Sequence, residues 1–347
     1  MTIDIDRSLR DDAQETKVLG QLLFTFSDDE LDHDPKQYLE LQTPHRERPK
    51  KHVWKQLSSL RPELEALSTC SSSEQLLHVR SSLAQRGFAA LPHHSRVLAE
   101  QGIDTQPSYT AFIEENLALI RDITGADHVI LWNTAKRDST VSVSASLSDD
   151  HQRQRQPQGI ESRFDKPLEP PALFAHIDQD PTYGTKVCSM AIAGTPSLLE
   201  QSTCLDPFEA MDKDLAKNYS RTMIINLWRP VGGTVYQKPL AVADYRSLDK
   251  ASLSRHANPF GCGYDIHAHP DQTWHFIPHQ TNDEVLVFKC YDSLSLQQQQ
   301  LQGPRSGAEA LYGAHCAVSN LKGDYPTPPL DAPPRKSVEF RFVAVWR

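Results

Sequence analysis

Short apolar runs, broken every few positions by Pro, Gly or Asp, fill the second half of the chain: ALFAHID (172–178), TMIINLW (222–228), PLAVAD (239–244), EVLVFKC (284–290), GAHCAV (313–318) and SVEFRFVAVW (337–346). Runs this short with turn residues between them predict strands of a sandwich or barrel. The first third reads differently. SSSEQLLHVRSSLAQRGF (71–88) predicts a helix: Ser71 and Glu74 have the spacing of a capping box, and Gly87 stands where a left-handed C-terminal residue is wanted. A second helix is expected after Pro107, with Phe112, Ile113, Leu117, Ile120 and Ile123 at helical spacing and Gly125 ending it. HVILW (128–132) then reads as a strand. Polar stretches are expected as loops at 27–52 and at 294–309, and residues 138–160, rich in Ser, Asp, Gln and Arg, as a long loop or lid. The expected organisation is a disordered tail (1–16), a helical or mixed part (17–137), and a β-rich core (138–347) on which that part packs.

At 347 residues the chain is long enough to bury a substantial core. Its net charge of −9 argues against nucleic acid or an anionic membrane surface as the main partner, and no apolar run is long enough to span a bilayer. The polar, acidic N-terminus lacks the pattern of a signal peptide. The six cysteines (70, 188, 204, 262, 290 and 316) include no CxxC pair, which suits free thiols in a reducing compartment. A cytosolic protein acting on a small molecule is the expectation.

The candidate chemistry lies in the β-rich half. In AHID, His176 and Asp178 are two apart in a strand-like run, so an imidazole and a carboxylate share one face. His315, in GAHCAV, supplies a third ligand from a distant strand. Two histidines and one carboxylate leave three positions open on an ion, which is the facial triad of non-haem iron(II) oxygenases. Period two along the last strand puts Arg335, Ser337, Glu339, Arg341, Val343 and Val345 on one face. There Arg335 and Ser337 can grip a carboxylate, such as the far end of 2-oxoglutarate. Fe(II) with one Asp carries charge +1, and a dianionic keto acid with one Arg brings the set to neutral. On the strand at 222–228, Asn226 and Trp228 share a face as pocket candidates. Arg229 takes the other face, either meeting an anionic substrate or forming a structural ion pair. Val343 and Val345 are candidates for the pocket wall, and Arg341, on the face of Arg335, is a pocket candidate as a second anchor or a partner of Glu339.

An HxD triplet alone is weak evidence: 15 histidines allow chance copies, and His269-Pro270-Asp271 is another. GCGYDIHAH (261–269) offers a competing cupin-type metal site at His267 and His269, although no Glu follows within 270–276. A jelly-roll binding protein with structural histidines is the non-catalytic alternative.

From about Gly87 to the C-terminus the sequence resembles the AsaB-type hydroxylase/desaturase family, also described as CmcJ/NvfI-type or fungal gibberellin-desaturase-like oxygenases. The resemblance rests on ITGAD (123–127), Arg137, the HID triplet, NLWRP (226–230), PLAVAD, DEVLVFKCYDS (283–293), His315 and PRKSVEFR (334–341). It implies a double-stranded β-helix, or distorted jelly roll, that uses Fe(II), 2-oxoglutarate and O2. It further implies hydroxylation, desaturation or oxidative ring closure such as aziridine formation on a small molecule, in secondary metabolism. Carried over position by position, His176, Asp178 and His315 bind iron, and Arg335 with Ser337 holds the co-substrate. The chain departs from the family at QTWHFIP (272–278), where His275 and Phe276 replace two tyrosines, and in a longer interval between His315 and Arg335.

Overall fold

The computed structural model describes residues 17–33, 48–141, 164, 166–194, 215–258, 261–302 and 309–347. Two sheets dominate. The larger has nine strands: β1 (Val18–Thr25), β2 (Lys50–Ser59), β5 (His176–Ile177), β7 (Leu240–Ala243), β8 (Leu253–Asn258), β9 (Gly261–Ile266), β10 (Trp274–Phe276), β12 (Ala314–Ala317) and β13 (Asn320–Gly323). Their spatial order is β13-β1-β2-β10-β7-β12-β5-β9-β8. The smaller sheet, β3-β11-β6-β14-β4, is built from β3 (Phe88–Pro92), β4 (His128–Asp138), β6 (Arg221–Pro230), β11 (Glu284–Asp292) and β14 (Lys336–Trp346). This is the double-stranded β-helix that the resemblance implies, within the sandwich-or-barrel class that the run pattern predicts.

Two cores follow from the alternation of side chains along the small sheet. One lies between the sheets and takes Ile224, Trp228, Leu286, Phe288, Cys290, Val343 and Val345 together with residues of the large sheet such as Ile177, Val242 and Cys316. The other takes the opposite face of the same strands, with Ile225, Leu227, Val287, Phe340 and Phe342, and covers it with helices. Of those helices, α3 (Ser72–Arg86) has its capping box in place between Ser71 and Glu74 and ends at Gly87, φ 82°. The longer α5 (Gln106–Thr124) ends at Gly125, φ 65°, and buries Phe112, Ile113, Ile120 and Ile123. Among the described residues the other α-helices are α1 (Asp28–His33), α2 (Arg61–Ser68), α4 (Arg96–Gln101), α6 (Pro181–Ala193) and α7 (Ser293–Gln302).

Several expectations need correction. The stretch 27–52 is not all loop: its described residues include α1 and the start of β2. The stretch 294–309 contains α7, whose first turn is held by Asp292 accepting from the Leu294 amide. The first 137 residues, expected as helical or mixed, contribute both strands and helices. β1 and β2 extend the large sheet, β3 and β4 form the edges of the small one, and residue 138 still belongs to β4. The expected tail (1–16), most of the expected lid (142–160) and Cys204 lie outside the described residues.

Candidate metal centre

β5 is only two residues long, yet it sits between β12 and β9, and its pairing aligns His176 directly with His315. The two imidazoles therefore project from neighbouring strands, with ring centroids 4.3 Å apart. Asp178 follows two residues after His176. Its carboxylate Oδ1 lies 3.3 Å from His176 Nε2 and 3.9 Å from His315 Nε2. Adjacent ligand atoms on an ion with bonds of about 2.1 Å stand about 3 Å apart, so the set is close to its coordinating geometry. Among the described residues, His176, Asp178 and His315 form a group able to hold a metal ion, with ligand atoms within 4.8 Å of one another.

The protonation pattern fits the same use. His176 Nδ1 is 2.8 Å from the Phe174 carbonyl, and His315 Nδ1 is 3.4 Å from that of Gly313. A ring nitrogen that donates to a carbonyl leaves the other as a free lone pair, so both Nε2 atoms are available to a cation. Burial, and then the neighbouring His176, push the His315 imidazole down to about 4, which keeps it neutral. Burial alone would raise the Asp178 carboxyl. The Arg341 guanidinium and the two imidazoles outweigh it and hold Asp178 well below the usual carboxylate range.

The backbone around Asp178 is close-packed. A Cβ on Gly263 of β9 would lie 2.3 Å from the Ile177 carbonyl oxygen and 2.7 Å from that of Asp178, so only glycine lets the two segments approach.

Beside the triad lies a narrow cavity walled by His176, His315, Trp228, Arg335, Glu339 and Arg341, among others. Arg335 is 3% exposed. Its guanidinium donates to the Lys238 carbonyl and to Ser337 Oγ (3.2 and 3.4 Å), and it rests 5.0 Å from the centre of the Trp228 ring. No carboxylate among the described residues lies within ion-pair distance of it. Burial, and next the nearby Arg137, lower it to about 9. The other cations of the cavity are paired: Arg137 with Glu169 at 3.0 Å, and Arg341 with Glu339 at 2.8 Å. Trp228 Nε1 is buried without a hydrogen-bond partner.

Period two places the other candidates. Asn226 shares the cavity-side face of β6 and reaches Asp178. Val343 and Val345 continue the Arg335–Arg341 face into the core between the sheets and are fully buried. Arg229 is the exception. It points into the helix-covered face, hydrogen-bonded to His93 and 5.7 Å from the Phe112 ring centre, so it is not in the cavity. His267 and His269 are each engaged locally: His267 Nε2 lies 2.7 Å from Ser254 Oγ, and His269 Nδ1 accepts from the Asp271 amide. Among the described residues neither belongs to a metal-binding group. Sequence reasoning missed Cys290, whose thiol lies 3.5 Å from Asp178 Oδ2. It gave no role to Arg137, which faces Ser337 across the β4–β14 pairing.

With this geometry in place, comparison with known proteins gives the class. Residues 63–345 match the family described as oxidoreductase/YMDC permease-like domain, and the chain belongs to that family. Among curated relatives, the hydroxylase/desaturase efuI of Hormonema carpetanum is 25% identical over 284 residues, covering 76% of this chain and 79% of that protein. Aspirochlorine biosynthesis protein N of Aspergillus oryzae is 33% identical over 132 residues, 36% of this chain, and the match spans about half (49%) of that relative. In structure, the chain is similar to the iron and alpha-ketoglutarate-dependent endoperoxidase NvfI, with a TM-score of 0.60 and 18% identity over 95% of this chain and 98% of that one. That last likeness concerns the fold. The hydroxylase/desaturase resemblance read from the sequence is thus met by relatives carrying those names.

Proposed function

We propose that this protein is an Fe(II)- and 2-oxoglutarate-dependent oxygenase that oxidises a C–H bond of a small molecule by hydroxylation, desaturation or oxidative ring closure. The observation that carries the reading is Arg335: a buried guanidinium with no carboxylate partner among the described residues, in the same cavity as a two-histidine, one-carboxylate triad. A buried guanidinium without a directly paired carboxylate is costly, and an anion that arrives to meet it relieves that cost. Charge bookkeeping agrees. Asp178 and Glu339 offset Arg335 and Arg341, so a divalent cation and a dianionic keto acid enter together without leaving net charge.

In this reading His176, Asp178 and His315 hold the ion, and Arg335 with Ser337 fixes the far carboxylate of 2-oxoglutarate. Trp228 forms the floor of the co-substrate site and offers Nε1 as a further donor. Fe(II), with 2-oxoglutarate and O2, supplies the oxidising power to remove hydrogen from an unactivated carbon. The chain's own part is placement and exclusion: it keeps His315 neutral and Asp178 ionised, and it holds the keto acid in one orientation. Val343 and Val345 back this region from the core. The relatives named for secondary-metabolite biosynthesis and desaturation support a small metabolite as substrate. The negative net charge favours neither nucleic acid nor an anionic membrane as partner, and no helix among the described residues is long and apolar enough to cross a membrane. The described cysteines are all free, which suits the cytosol.

Anaerobic addition of Fe(II) and 2-oxoglutarate tests the reading. A weak visible charge-transfer band is expected in the wild type, absent in His176→Ala and retained in His269→Ala. A wild-type chain without the band, and without succinate formation in air, would exclude this function.

A further inference from the structure

The two oxygens of Asp178 have different surroundings. Oδ1 faces the two Nε2 atoms at 3.3 and 3.9 Å. Oδ2 has other neighbours: it accepts from Asn226 Nδ2 at 2.9 Å and from the Cys290 thiol at 3.5 Å, and it forms an ion pair with the Arg341 guanidinium, whose Nε is 3.5 Å away. The donors are themselves held. Glu339 Oε1 accepts from Asn226 Nδ2 at 3.3 Å and from Arg341 Nε at 2.8 Å. Asn226 thus spends both amide hydrogens on two carboxylates, Asp178 and Glu339. The opposite amide orientation would aim its oxygen at both anions, so the direction of the side chain is fixed by charge. All of these groups come from the small sheet: Asn226 from β6, Cys290 from β11, and Glu339 and Arg341 from β14, where Asn226 lies directly across from Arg341. The metal ligands come from β5, the turn after it and β12.

We propose that Asn226 and Arg341 are positioning residues for the metal centre: by occupying Oδ2 they make Asp178 a one-oxygen ligand through Oδ1, leaving the remaining positions on the ion for the keto acid and dioxygen. This rests on the function proposed above and changes the part assigned to both side chains. Both act through Asp178. Glu339 keeps the pair neutral and oriented. Outer groups that hydrogen-bond a ligating carboxylate set its orientation and basicity. A carboxylate whose second oxygen is freed can rotate to give both oxygens to the ion and fill a position that the co-substrate needs.

The experiment is anaerobic titration of the full chain with Co(II), read both as a dissociation constant and as the ligand-field absorption spectrum. The spectrum reports coordination directly, and a purely structural role would not move it. Asn226→Leu, close in volume but without donors, is expected to weaken Co(II) binding about 10–100-fold and to change the spectrum. Arg341→Met is expected to do the same, with Arg341→Lys falling between it and the wild type because the charge is kept. Asn226→Ser is the second probe where Asn226→Leu does not fold, and the Arg341 pair decides if neither Asn226 variant folds. Folded variants that bind Co(II) with wild-type affinity and spectrum would overturn the proposal while leaving the site intact. A wild-type chain that binds no Co(II) would strike down both the proposal and the function on which it rests.

Discussion

The two faces of β14, with Arg335 just before it, are both largely buried and chemically opposite. One carries Arg335, Ser337, Glu339 and Arg341 towards the cavity; the other carries Val338, Phe340, Phe342 and Ala344 beneath the helices, with Phe340 5.5 Å from Phe112. Both lie out of water, so burial does not separate a site from a core. Satisfaction of charge does. On the apolar face burial is favourable at about 25 cal/mol per Å². On the polar face it is tolerated where Glu339 meets Arg341, while Arg335 has no carboxylate within ion-pair distance among the described residues.

Substitutions on the two faces should therefore separate stability from binding. The largest effect is expected at the ligands: His315→Gln should abolish metal-dependent turnover, measured as succinate release, while the metal-free chain melts close to the wild type. Next, Phe340→Ala should lower unfolding free energy by about 3–5 kcal/mol in denaturant titration, yet leave Fe(II) affinity unchanged at low temperature. Arg335→Met should do the reverse. It is expected to weaken 2-oxoglutarate binding by about 2–5 kcal/mol in calorimetry, with stability of the ligand-free chain equal or higher. A Phe340 variant that loses metal but not stability, or an Arg335 variant that loses stability but not binding, would break the contrast between the faces.

The smallest effect concerns acid. Burial depresses His275 and His93 to about 4, in His93 with help from Arg229. An unfolded histidine, with a pKa of about 6.5, binds its proton first, so stability present above pH about 6.5 is lost as pH falls towards 4. His275→Phe should flatten that limb in a series of melting temperatures against pH.

Much of this was legible in the sequence, for identifiable reasons. Period two alone named Arg335, Ser337, Glu339 and Arg341 as neighbours, and it set Arg229 on the opposite face from Asn226 and Trp228. Local chemistry named both ends of α3 and the C-terminal end of α5, because a capping box and a left-handed glycine need no tertiary partner. α6 carried a readable signal, Asp180 as N-cap before Pro181, hidden by the strand-like run in front of it. α7 is masked by four consecutive glutamines and has a weak apolar face. Cys290 and Arg137 required the pairing of β6 with β11 and of β4 with β14, contacts between residues far apart in sequence that no local pattern encodes.

Gly263 shows how far the vulnerability of such a centre extends beyond its ligands. A single added methyl would have to displace the main chain that carries Asp178, and with it the carboxylate, although residue 263 donates nothing to an ion. Among naturally occurring or selected variants, alanine at this position should therefore be as disabling as loss of a ligand, and an inventory of coordinating side chains alone would score it as harmless.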